Sequence, residues 1–151
     1  MSRGNHIPQT KPFRWDDIPL LAYKEEDGST HFKAITRQVL FEADDDPGAE
    51  VRYFEIAPGG HSTLERHDHA HSVIILRGRG QALVGERIHT LATHDLVRVP
   101  PRTWHQFRAA EKEPLGFLCV VRGDRDKPQR PTAVDLALLR ADPQVGGFVR
   151  V

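Results

Sequence analysis

Four side chains able to hold a metal ion stand on alternate positions in the stretch LERHDHAHSVIILRGRG: Glu65, His67, His69 and His71. Imidazole suits zinc, iron, nickel and copper, and a carboxylate extends that range to manganese. In an extended chain, residues two apart share a face, so Glu65 with His67, or His67 with His69, could grip one ion. A loop between two strands could bring His71 back to the same point. His105 is the obvious further donor, held stiffly behind the two prolines of VPPRTW. A solvated histidine-rich turn is the plainer alternative. Against it, the cluster runs straight into SVIILR, an apolar segment that places it at the root of a strand.

The elements that must position these residues are short. ITRQVLFE (35–42) ends in a loop, and VRYFEIA (51–57) ends at a turn signalled by Pro58 and Gly59. HSVIILR (71–77), QALV (81–84), RIHTL (87–91), DLVRVP (95–100), HQFR (105–108) and LGFLCVV (115–121) follow, separated by turn residues. Strands at such regular spacing, rich in Val, Ile, Leu and Phe, predict an all-β antiparallel sandwich or barrel. Residues 1–33 are polar and proline-punctuated, and read as an extended arm with one short strand. Within the arm, Trp15, Leu20, Leu21 and Tyr23 are apolar and must pack on the body of the domain or on a second subunit. Residues 34–121 form the barrel, and 122–151 a connector and one short helix. That helix opens at Thr132 as N-cap with Asp135 three residues on, turns Val134, Leu138 and Leu139 to one face, and stops at Pro143 and Gly146.

Lys plus Arg and Asp plus Glu both number 21 in 151 residues. That balance argues against a nucleic-acid partner held by bulk charge and against a polybasic membrane anchor. The one cysteine, Cys119, lies in apolar GFLCVV and reads as a small buried hydrophobe. With no second cysteine to pair with and no apolar run of signal or membrane length, the expectation is a cytoplasmic protein with no membrane partner.

The segment from Gly59 to Ala109 resembles the two signature motifs of the cupin superfamily, small jelly-roll barrels of the double-stranded β-helix kind. On the first motif, G(X)5HXH(X)3–4E(X)6G, Gly59 leads, Glu65 takes the place of the first His, His67 the second, His71 the place of the Glu, and Gly78 closes. The frame that would begin at His67 and His69 needs glycine at His61 and glutamate at Val73 or Ile74, and fails. On the second motif, G(X)5PXG(X)2H(X)3N, Pro100 and His105 fall in register. His94 and Arg102 stand where glycines are usual, and Ala109 replaces the Asn. These departures bear on the loop conformation, with His94 a surface residue at a tight turn.

The resemblance implies a cupin barrel with Glu65, His67, His71 and His105 as metal ligands, and with His61 and His69 outside the set. It also implies a divalent ion, Fe(II), Mn(II), Ni(II), Co(II) or Zn(II), with two open positions for substrate, or for substrate and dioxygen. In an alternative geometry Glu65 turns away, leaving three histidines as in cupin thiol dioxygenases. The function expected is that of a mononuclear metal-dependent dioxygenase or related oxidoreductase on a small organic substrate. The alternatives are a Lewis-acid isomerase or lyase using the same metal, and a non-catalytic ligand- or metal-binding module. The family also implies a homodimer. Phe107 shares the face of His105 and can wall the pocket, Trp104 packs outward or at a subunit contact, and Tyr53 reads as core with its hydroxyl at the rim. Apolar walls of this kind suit a small organic substrate better than a sugar phosphate, which needs clustered Arg or Lys.

Overall fold

The computed structural model describes residues 5–25, 28, 30–44 and 48–151. The middle of the loop after residue 42 and part of the acidic run at 25–27 lie outside the described residues. Eleven strands and two short helices follow in order: β1 Gln9–Lys11, β2 Arg14–Trp15, β3 Leu21–Ala22, β4 Lys33–Phe41, β5 Ala49–His61, β6 His71–Gly78, β7 Gly80–Val84, β8 Arg87–Leu91, β9 Leu96–Val99, β10 His105–Ala109, β11 Leu115–Arg122, α1 Ala133–Arg140 and α2 Pro143–Phe148. From β4 onward the strands form one curled antiparallel sheet, in the order β8-β7-β10-β5-β11-β6-β9, with β3 and β4 continuing it beside β5. This is the all-β jelly-roll architecture expected.

The sheet curls because β5 serves both halves. Its first part pairs with β4 and β11, as far as Ile56, and its last residue, His61, pairs with Lys33 of β4 and with Arg108 of β10, which takes over from β11. The turn expected at Pro58–Gly59 is therefore not an end. The strand runs through Pro58 to Gly60, and Gly59 adopts φ 75° at the point where the partners change. A proline that gives no N–H costs no ladder bond at such a change of partner, and an irregularity there bends the strand.

Alternation sends one set of side chains inward. Ile35, Phe54, Ile56, Val73, Ile75, Phe107 and Phe117 meet in a single buried cluster. The outer face of the same strands is covered by the arm, which forms a β1–β2 hairpin and pairs β3 with β4. Phe13 stacks on Tyr53 at 5.4 Å, Trp15 meets it edge-on, and Ile18 is buried beside Leu40. Of the arm's apolar residues, Trp15 and Tyr23 pack on the chain's own barrel, whereas Leu20 is exposed.

The C-terminal segment departs from expectation in two ways. Thr132 and Asp135 form the capping box, but Pro143 begins a second helix instead of stopping the first. At N1 the missing N–H is no loss, and Asp142 caps the backbone N–H groups of Gln144 and Val145. Second, Leu136 and Leu139 face the barrel while Val134 and Leu138 are exposed. Val145 and Phe148 anchor the pair of helices against Leu64, Leu83 and Trp104. Each such burial contributes roughly 1.5–3 kcal/mol.

At the two turns where the motif expects glycine, the chain keeps the conformation without the residue. His94 has φ 75° and Arg102 has φ 55°, both in the left-handed region that costs a side-chain-bearing residue free energy. His94 is exposed. Replacing it with glycine removes the left-handed penalty and adds the smaller entropic cost of glycine in the unfolded chain. We expect His94→Gly to raise stability by about 0.5–1 kcal/mol in urea unfolding; a loss of stability would contradict the strain assigned to this turn.

Candidate metal centre

The segment joining β5 to β6 carries Glu65, His67 and His69, and its backbone is pinned from two sides. Glu65 and His105 exchange backbone hydrogen bonds, N to O at 3.2 and 3.0 Å, so these two side chains share a fixed origin. Arg66 pairs likewise with Gln129 of the connector at 3.0 and 2.8 Å. Arg102 donates its N–H to the His67 carbonyl at 2.6 Å. His71 and His105 are the first residues of β6 and β10.

These elements bring Glu65, His67, His71 and His105 to the wall of one cavity of about 250 Å³, together with His69. Two overlapping groups have donor atoms within 4.8 Å of one another and could hold an ion: Glu65, His67 and His105, and His67, His69 and His71. His61 lies away from them, its Nδ1 against the Ser62 carbonyl at 3.0 Å.

Each imidazole in the cavity has its Nδ1 committed elsewhere. His67 Nδ1 meets the His69 carbonyl at 2.6 Å, His105 Nδ1 the Thr103 carbonyl at 2.9 Å, and His71 Nδ1 the Cys119 sulfur at 2.8 Å. His69 Nδ1 meets Asp126 Oδ1 at 2.8 Å. A proton on Nδ1 leaves Nε2 as the acceptor, the form that ligates a metal. His67 Nε2 and His71 Nε2 stand 2.7 Å apart. Two lone pairs cannot face each other at that distance without a proton or a cation between them. The donor set fits a divalent ion of the zinc, iron or manganese kind.

His69 differs from its neighbours in orientation. Its ring lies parallel to that of His67, 2° between planes and 3.6 Å between centroids, whereas His71 and His105 meet His67 at 67° and 72°. An imidazole binds a metal in its ring plane. An ion in the plane of His67 lies off the plane of a ring stacked on it, where His69 directs no lone pair. Asp126 holds His69 in this stack. Its own carboxyl is held far below the usual carboxylate range, first by the Asp68 backbone N–H and also by the His69 side chain and backbone N–H.

Glu65 Oε2 receives Lys24 Nζ at 2.6 Å, and Lys24 also donates to Thr63 Oγ1 at 3.2 Å. The arm thus reaches into the cavity from a part of the chain that the motif does not cover. Phe107 walls the cavity and stacks on Phe117 at 4.7 Å. Trp104 packs outward against the C-terminal helices, and Tyr53 donates to Glu55 on the outer face, away from the site. Cys119 is buried as expected, but its sulfur lines the cavity. The walls are not simply apolar. Lys24, Arg37, Arg52 and Arg125 line the same cavity, from the arm, β4, β5 and the connector. Their separation in sequence hides the cluster, and only the alternation of β4 and β5 could have signalled Arg37 and Arg52.

Burial holds His67, His71 and His105 neutral. That of His67 is pushed down to about 4, first by burial and then by the neighbouring His105 ring. His71 and His105 are likewise held below the ordinary range by burial, His71 further by His105 and His67. The unfolded chain takes up protons below the ordinary histidine value of 6.5, while the folded metal-free chain refuses them until about 4. The melting temperature of chelator-treated protein should therefore fall as pH drops across that window, and His67→Gln should flatten the fall. A profile that is flat in the parent, or unchanged in the variant, would contradict this account.

Residues 52–121 match the Cupin domain family. Over 153 residues the chain is 57% identical to a 1-methylthio-D-xylulose 5-phosphate methylsulfurylase of Rhodospirillum rubrum, covering 99% of this chain and 97% of that protein. Among solved structures, a cupin 2 conserved barrel domain protein from Rhodopseudomonas palustris superposes with a TM-score of 0.91 at 51% identity, over 97% of this chain and 99% of that one. A cupin-2 domain from Rhodospirillum rubrum does so with a TM-score of 0.85 at 55% identity, over 95% and 94%.

Proposed function

This chain belongs to the cupin family, and we propose that it is a metal-dependent enzyme acting at the methylthio group of a 1-methylthio-ketose 5-phosphate. The observation that carries this reading is the similarity to the methylsulfurylase, which runs the length of both chains. The cavity supports it from both ends of such a substrate: imidazole and carboxylate donors for oxygens near the carbonyl, and guanidinium groups for an anion.

In this reading Glu65, His67, His71 and His105 hold the ion, and His69 stays outside in its stack on His67. The ion, one of Fe(II), Mn(II), Ni(II), Co(II) or Zn(II), supplies Lewis-acid polarisation of the ketose carbonyl beside the carbon–sulfur bond. The chain's residues do the rest. The committed Nδ1 atoms fix the imidazoles so that no reorganisation accompanies binding. Lys24 holds one oxygen of Glu65 and leaves the other for the ion. Phe54, Phe107, Phe117 and Val73 give the methylthio group an apolar wall and exclude water from it.

Metal content tests the ligand set. Glu65→Ala and His67→Ala should each lose stoichiometric metal in elemental analysis of tag-free protein, whereas His69→Ala should keep it. A wild type without metal would sink the site. Turnover tests the reaction. Metal-loaded protein, given 1-methylthio-D-xylulose 5-phosphate and a small thiol as sulfur acceptor, should consume the ester by proton NMR. Chelation or His67→Ala should slow it at least a hundredfold. No consumption would remove the reading, and loss of the ester matched by oxygen uptake would favour the dioxygenase alternative.

A further inference from the structure

We propose that Arg37, Arg52 and Arg125 form a binding subsite for the phosphate ester in the same cavity as the imidazoles, one residue beyond His71 across the Cys119 sulfur. The inference rests on the sugar-phosphate reading above for the identity of the sugar, and on the cavity itself for the anion.

The strands create the juxtaposition. In the β4–β5 ladder Arg37 stands opposite Phe54 and Val39 opposite Arg52, and in the β5–β11 ladder Arg52 stands opposite Cys119. These residues share the inner face, where cross-strand and diagonal neighbours touch. Glu50 precedes Arg52 by two residues on the same face, and Arg125 arrives from the connector. Arg52 Nε and Arg125 Nη2 both address Glu50 Oε1, at 3.5 and 3.0 Å. Arg52 is steadied further, with its guanidinium 4.9 Å over the Phe54 ring and Nη2 3.5 Å from the Cys119 sulfur. Arg37 donates its Nε to the Ala22 carbonyl at 3.2 Å. No carboxylate among the described residues pairs with Arg37.

Charge then decides what is missing. Three guanidinium groups face one carboxylate, leaving two positive charges beside walls of Phe, Ile and Val. Arg52 Nε is buried and makes no hydrogen bond, its contact with Glu50 Oε1 being an ion pair at 3.5 Å, and the side chain is only 12% exposed. A buried donor that makes no hydrogen bond is costly, even with a carboxylate nearby. A phosphate monoester brings about −1.5 to −2 charge and three strong acceptor oxygens, and guanidinium is the group best shaped to receive them. Glu50 then orients two of the arginines without neutralising the group. The subsite also lies at a useful distance from the imidazoles. The Cys119 sulfur that touches Arg52 also touches His71, so a short carbon chain can reach from one end to the other.

Calorimetric titration of metal-loaded protein with D-xylulose 5-phosphate and with D-xylulose tests the subsite independently of turnover. Wild type should bind the ester at least tenfold more tightly than the sugar, with inorganic phosphate competing. Arg37→Ala and Arg52→Gln should each remove at least tenfold of the ester's affinity while leaving metal content unchanged. Arg79→Ala, outside the cavity, should change neither. Should Arg52→Gln fail to fold, Arg37→Ala and Arg125→Ala carry the test. Equal affinity for ester and sugar in the wild type overturns the subsite, as do folded, metal-replete arginine variants that keep the ester preference. An arginine-dependent ester preference without methylthio turnover leaves the subsite standing and removes only the reaction. Turnover with an ester preference that ignores the arginines does the reverse.

Discussion

Four imidazoles in the cavity have their Nδ1 atoms committed to a carbonyl, a carboxylate or a sulfur, and their remaining nitrogens are left to face the interior. Most of the functional end of the barrel follows from that commitment. It requires His67 and His105 to sit beside the carbonyls of His69 and Thr103, which the bends of the 62–70 segment and the approach to β10 provide. It requires burial, which keeps the rings of His67, His71 and His105 neutral and their lone pairs available. It also creates a repulsion, since the Nε2 atoms of His67 and His71 stand 2.7 Å apart, and a shared proton or a cation must relieve it. An ion held at this site would link its binding to folding, because the donors are preorganised only in the folded chain.

The arm adds a second constraint. Lys24 sits on Glu65 from the far end of the chain, so the carboxylate divides its oxygens between an ammonium and the cavity. The same arm covers the outer face of β4, β5 and β11 through Phe13, Trp15 and Ile18. One short segment therefore seals the back of the sheet and places a charge at its front. No helix of the described residues is long and apolar enough to cross a membrane.

How far the sequence was legible depends on how local each signal is. The strands announce themselves by alternation, and β6, β8 and β10 begin where their histidines or arginine suggest. The resemblance to the cupin motifs implies Glu65, His67, His71 and His105, and these line one cavity together with His69. Long-range partners were not legible. Lys24, Asp126 and Arg125 come from the arm and the connector, whose approach to the barrel is set by tertiary packing and leaves no periodic trace. Pro58 and Pro143 misled for a common reason. Proline signals a missing N–H, and here neither residue needed one, at a change of strand partner and at the first turn of a helix. The motif's absent glycines misled in the opposite sense, because His94 and Arg102 accept the left-handed backbone.

In the proposed site Glu65 and three histidines bind the ion while His69, ring-stacked on His67, does not. Anomalous diffraction from crystals of the Mn(II)-loaded protein tests it most directly. We expect an ion bound by a Glu65 carboxylate oxygen and by Nε2 of His67, His71 and His105, with His69 still on Asp126. An ion bound through His67, His69 and His71, with Glu65 wholly on Lys24, would contradict it.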